Sequence, residues 1–215
     1  QTSLVMPDQG LRPDLGQLDL THRPFAQVRS QRSLTLGVLS SHHYHALNTL
    51  CQGMQVLYPS LQCQLHQLQT VSELVVDAVC LASSSLMDWQ RADDPRYTKI
   101  LQSIKAYPGS LIIVADRVDQ TFQASVKRLQ RHLNLQKIVP NHPITQHPFL
   151  FGNLPEFPLE ESLWVDDRIV VVPPAMLDFW EGKDQSRQTI RTWHELGINL
   201  LYYVWYNSHI RKLLQ

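Results

Sequence analysis

From Ser33 onward, apolar and polar positions alternate in blocks whose periods identify the elements. SLTLGVLSS (33 to 41) has the β-branched and apolar content of a strand, and its serines can cap the helix HHYHALNTLCQ, which Gly53 is expected to stop. LQCQLHQ (61 to 67) sets Leu61, Cys63 and Leu65 against glutamine and histidine, the period of two of a half-buried strand. ELVVDAVCLASSS (73 to 85) is more continuously apolar and reads as a strand buried on both faces. Asp94 and Pro95 open a helix with Tyr97, Ile100, Leu101 and Ile104 on one side, ended by YPG (107 to 109). SLIIVA (110 to 115) predicts the central strand, and Asp119 caps a helix carrying Phe122, Val126, Leu129 and Leu133. LWVDDRIVVVPP (163 to 174) predicts a hairpin of Leu163 to Val165 and Ile169 to Val172 turning on Asp166 and Asp167. A last helix from about Ser186 presents Ile190, Trp193, Gly197, Leu200 and Val204. The alternation predicts an α/β fold of three layers: a mostly parallel sheet with helices on both faces, plus a C-terminal hairpin and helix.

Ahead of this pattern, residues 1–20 are rich in Pro, Gly, Gln and Asp and lack periodicity, which predicts a linker or extended arm. Residues 21–215 are then one α/β domain, expected to be part of a longer protein because the chain opens on Gln. Nineteen basic residues balance nineteen acidic ones, so there is no electrostatic footprint for nucleic acid or for an anionic membrane surface. The longest nearly unbroken apolar run, INLLYYVWY (198 to 206), is about half of the roughly 20 residues that a membrane-spanning helix needs. No membrane insertion is expected. Cys51, Cys63 and Cys80 form no CxxC, which predicts buried free thiols and favours a cytoplasmic setting over a secreted or periplasmic one.

Several residues offer chemistry. His42, His43 and His45 cluster in SHHYH, but no HxxxH or HExxH spacing supplies a facing pair, so a solvent-facing helix start is expected and no metal. Cys80 lies inside an apolar run and Cys51 at a helix end, so both read as small core hydrophobes. Ser83 and Ser84 follow a strand at the edge where open α/β sheets bind ligands, without the glycines of a nucleophile elbow. Asp116 ends the central strand and is followed by Arg117. It is either a base or hydroxyl-binding carboxylate, or a loop carboxylate held by Arg117 and a helix N-terminus. With eight glycines and neither GxGxxG nor GxxxxGK, no nucleotide cofactor is expected. Of the aromatic tail, Trp193, Tyr202, Tyr203, Trp205 and Tyr206, helical spacing assigns about half to the core. The remainder, with Trp180 and Trp89, forms an interaction patch. In NHPITQHPF (141 to 149) each proline holds the preceding histidine extended. Extended residues five apart lie about 16 Å from each other, so His142 and His147 hold one ion only across a tight turn. His142 is expected to make a structural hydrogen bond and His147 to be a loop corner.

Four stretches, LDLTHRPFAQVR (18 to 29), SLIIVADRVDQTFQASVKRL (110 to 129), VPNHPITQHPF (139 to 149) and TWHELGINLLYYVW (192 to 205), resemble segments of the DUF4159 family in the same order. These are domains of unknown function related to the class I glutamine amidotransferase-like fold. The resemblance implies that Asp116 matches a family carboxylate and that His142, Pro143 and Phe149 match its His-Pro and aromatic. Ser110 stands where the family has a second glycine, and Arg117 or Ala115 where it has a second acid. It also implies that the end of the central strand corresponds to the nucleophile elbow of the related fold. Ala115, Asp116 and Arg117 supply neither cysteine nor serine there, so glutaminase activity is not expected. Such a domain attaches to upstream domains of larger proteins. The expectation is a non-catalytic accessory or protein-interaction domain whose partner is another protein or the upstream chain. The alternative is a hydrolase-like enzyme or carbohydrate binder using Ser83, Ser84, Asp116, Arg117 and His142 at the carboxyl edge of the sheet, with Asp116, Arg117 and His142 as its catalytic candidates.

Overall fold

A computed structural model describes residues 32–39, 41–68, 76–82, 102, 107, 109–114, 126–127, 129–130, 133–158, 161–182 and 185–214. Among them, strands β1 (Arg32–Val38), β2 (Leu61–Gln67), β3 (Ala78–Ala82), β4 (Ser110–Val114), β5 (Gln136–Lys137), β6 (Trp164–Asp166) and β7 (Ile169–Val172) form one sheet in the order β2-β1-β3-β4-β7-β6-β5. The first five strands in that order are parallel, while β6 is antiparallel to both of its neighbours. The helices described over their full length are α1 (Ser41–Leu57), α2 (Pro174–Glu181) and α3 (Arg187–Leu214), and Pro143–Thr145 forms a 3-10 turn. Residues 31–215 belong to one compact unit.

Alternation along the strands gives each face of the sheet its own core. Leu34, Leu36, Ala78, Cys80, Ile112, Val114, Val170 and Val172 face α1, α2 and α3. Val79, Leu81, Leu111, Ile113, Ile169 and Val171 face the other way, against Val126, Leu129 and Leu133. A strand covered on both sides has no solvent face to make polar, which is why β3 and β4 read as unbroken apolar runs. β2 is at an edge and keeps its alternation. β4 is the central strand of the seven.

Three local expectations are corrected. Helix α1 does not stop at Gly53 but runs on to Leu57. Gly53 is there for close approach: a Cβ on it would stand 2.5 Å from His194 Nδ1, and His194 is held by a 2.9 Å hydrogen bond between Nε2 and the Trp180 carbonyl. The SHHYH start is not wholly solvent-facing. His45 is exposed, but His43 is buried, because it shares a helical stripe with Leu47, Leu50 and Met54. The hairpin turns one residue later than expected. Asp166 still pairs with Ile169, and Asp167 and Arg168 make the turn, with the Asp167 N–H donating to Asp166 Oδ1 at 2.6 Å.

Trp180, assigned from sequence to an interaction patch, is fully buried. Its indole N–H donates to the Trp193 carbonyl at 3.1 Å. The close fit of α2 and α1 on α3 falls at Gly197, where a Cβ would meet Trp180 Nε1 at 2.6 Å and Leu50 Cδ1 at 2.7 Å. Trp89 lies outside the described residues.

Candidate functional site

The long helix α3 crosses one face of the sheet, and its second half is tied to the amino ends of the parallel strands. Ser110 Oγ, at the start of β4, donates to the Val204 carbonyl at 3.4 Å. Tyr203 Oη, Asn207 Nδ2 and an Arg211 guanidinium nitrogen all donate to the Asp167 carbonyl in the β6–β7 turn, at 3.4, 2.9 and 3.3 Å. Lys212 pairs with Asp77, just ahead of β3, and the same carboxylate accepts the Thr35 N–H at 2.8 Å. Burial raises the pKa of the Tyr203 hydroxyl, which keeps it a donor.

Against α3 lies the segment that contains NHPITQHPF. His142 has the extended geometry that its proline imposes, φ −69° and ψ 145°, and its Nδ1 accepts the Ile144 N–H at 3.2 Å. That bond places the ring proton on Nε2. Burial lowers the pKa of this imidazole, favouring the neutral form that can accept. Thr145 closes the turn, its hydroxyl reaching the carbonyls of His142 (2.7 Å) and Pro140. Beyond Gln146 the His147–Pro148 peptide is cis.

Three contacts lay the segment along α3 in antiparallel order. The His142 ring lies 5.2 Å from that of Tyr203, Phe149 joins Asn199, and Phe157 packs edge-on at 5.0 Å against Trp193. Asn199 is fully buried. Its Nδ2 donates to the Ile144 and Phe149 carbonyls, both at 2.7 Å, and its Oδ1 accepts the Phe149 N–H at 2.8 Å. One side chain thus satisfies three backbone groups of a segment that has no ladder of its own.

Between this strap and the helix lies a half-open groove of about 310 Å³, lined by Pro143, His147, Tyr202, Tyr203 and Tyr206. Tyr202 and Tyr206 stand in nearly the same orientation, 16° between planes and 6.5 Å between centroids. Tyr202 also touches Tyr58 and Trp205, and Trp205 carries the Arg32 guanidinium 5.4 Å above its ring. Neither 139–155 in the strap nor 196–210 in α3 contains Asp, Glu, Lys or Arg, while Asp167, Arg211 and Asp166 act electrostatically on the Tyr203 hydroxyl. The aromatic lining suits ring faces and single polar groups.

Of the residues singled out from sequence, His142 is described, and it packs on the half of α3 fastened to the amino ends of the strands. β3 and β4 end at Ala82 and Val114, at the opposite edge. Ser83, Ser84, Asp116 and Arg117 lie outside the described residues. His147 is exposed and joins the groove, as do Tyr202, Tyr203 and Tyr206 from the aromatic tail. Cys51 and Cys80 are buried free thiols, and burial pushes the Cys80 pKa up to about 12. Cys63, hydrogen-bonded with Cys51, is also raised. Among the described residues no group of three or more His, Cys, Asp or Glu side chains could hold a metal ion, and no helix is long and apolar enough to cross a membrane. Asn199 was missed from sequence, although an amide inside the apolar run INLLYYVWY is its signal. No protein-family model, curated protein or solved structure matches the chain.

Proposed function

We propose that this domain is an accessory, protein-interaction module of a larger polypeptide or assembly, of the DUF4159 kind, and that the groove between the His-Pro strap and α3 is its contact face. The carrying observation is the lining: three tyrosines, a proline and an exposed histidine on a framework braced by buried Asn199. Aromatic side chains dominate the centres of protein interfaces because they give large contact area with few rotatable bonds. Leu150, an exposed apolar side chain in the strap close in sequence to His147, fits a surface covered in use.

The reading is tested by placing a photo-crosslinking amino acid at position 206 in the parent protein and, as a control, at Val56, which is 80% exposed on α1. One identified polypeptide captured from position 206 and not from 56, and competed away by excess domain, is the expected result. Equal capture from both positions overturns it, as does turnover of an ester, amide or glycoside that disappears in Asp116→Ala.

A further inference from the structure

Two of the three cysteines meet where α1 folds back on the edge strand β2. The two elements are consecutive, joined at residues 58–60, and the Leu61 N–H donates to the Tyr58 carbonyl at 3.3 Å. Because β1 and β2 are parallel, the helix between them runs against β2. Counted from that turn, Cys51 is six residues before Leu57, about 9 Å of helix, and Cys63 is two residues after Leu61, about 7 Å of strand. The two side chains are therefore level. Cys51 belongs to the buried stripe of Leu47, Leu50 and Met54, and Cys63 shares with Leu61 and Leu65 the face of β2 that packs against the same core. They make a side-chain hydrogen bond with each other.

We infer that Cys51 and Cys63 are a paired oxidation site, closed to a disulfide by hydrogen peroxide, which staples α1 to the edge of the sheet. The pair is asymmetric in access: Cys51 is 5% exposed, whereas Cys63 is partly exposed. Peroxide therefore meets Cys63 first. The Cys63 sulfur attacks one peroxide oxygen, the S–O bond forms as the O–O bond breaks, and the departing hydroxide leaves as water with the thiol proton. The Cys51 sulfur then attacks that of Cys63. The S–S bond forms as the S–O bond breaks, and the hydroxide leaves as a second water with the Cys51 proton. Two thiols are oxidised by two electrons and one peroxide is reduced to two waters. The hydrogen bond to Cys51, burial and the charges of Cys51 and Asp77 all hold the Cys63 thiol above its ordinary pKa, so the first step is slow near neutral pH and faster at mildly alkaline pH.

The test treats the 215-residue chain with hydrogen peroxide at mildly alkaline pH, blocks remaining thiols with N-ethylmaleimide in denaturant, and maps the digest by mass spectrometry. The expected product is one intrachain Cys51–Cys63 link, reversed by dithiothreitol, with fully buried Cys80 carrying the maleimide. The oxidised chain is expected to unfold at higher urea than the reduced one, because the link shortens the unfolded chain's free loop. In Cys51→Ser the reaction is expected to stop at the Cys63 sulfenic acid, trapped by dimedone to a much greater extent than in wild type. The inference is overturned if Cys51 and Cys63 are both recovered with maleimide, if links form between chains or to Cys80 instead, if the oxidised chain unfolds no later than the reduced one, or if dimedone labels wild type and Cys51→Ser equally. The wild-type map decides even if the variant does not fold.

Discussion

At the scale of single residues, two side chains hold the strap in place. Asn199→Ala would remove the partner of one N–H and two carbonyls in a buried to part-buried region. At about 1–3 kcal/mol per unsatisfied buried group, with partial relaxation, a loss of roughly 3 kcal/mol is expected in urea unfolding, with faster amide exchange across 144–149. His142 gives a pH signature. Its pKa is lower folded than unfolded, so the unfolded chain takes up the proton more readily. Its contribution is therefore complete above the ordinary value of 6.5 and is lost as pH falls through the lower folded value. His142→Asn keeps an acceptor for the Ile144 N–H and removes the titration, so unfolding midpoints measured from neutral to mildly acidic pH should fall less steeply in the variant than in wild type. The geometry of His142 was legible in sequence, because X-Pro restricts the residue before it. The role of Asn199 was not, because its three partners are about 50 residues away along the chain.

Elements show the same division. The buried face of α3 follows from Trp193, Gly197, Leu200 and Val204 at helical spacing, and Ser186 caps its start through a 3.1 Å bond from the Thr189 N–H. Glycine, however, means different things at a helix end and at a crossing. Gly53 reads locally as a stop, yet α1 runs through it to Leu57, and the missing Cβ makes room for His194. Gly197→Ala tests this at the other crossing. Alanine raises helix propensity by about 1 kcal/mol, but its methyl would overlap Trp180 and Leu50, both fully buried, at a cost of about 1–3 kcal/mol or more. Net destabilisation by thermal melting is expected; a stabilised variant would show that the crossing can relax. Helix α2 was not anticipated. PPAMLDFWEG is short, and its buried Met176, Leu177 and Trp180 give a recognisable face only once α1 and α3 are beside them.

For the whole molecule, the doubly covered sheet makes core access a measure of global opening. Cys80 is fully buried on β3, inside the sheet, with its thiol pushed up to about 12, so almost no thiolate exists near neutral pH and no reagent reaches it in the folded state. Its labelling rate should rise with denaturant in step with global unfolding followed by tryptophan fluorescence; labelling at a denaturant-independent rate would reveal local opening of the sheet. Sequence alone determined what short-range physics controls: the α/β class, β4 as the middle strand, the two-sided burial of β3, the extended geometry of His142 before its proline, and the buried thiols of Cys51 and Cys80. These depend on residues within a turn or a strand of each other, whose periodicity survives without the fold. The tertiary structure decided the strand order, the antiparallel lie of the strap on α3, the burial of His43 and Trp180, and the joining of Pro143 and His147 with Tyr202, Tyr203 and Tyr206. Each of those requires chain segments far apart in sequence to meet, and that meeting is set by how the covered faces of sheet and helices pack, a quantity no local pattern contains.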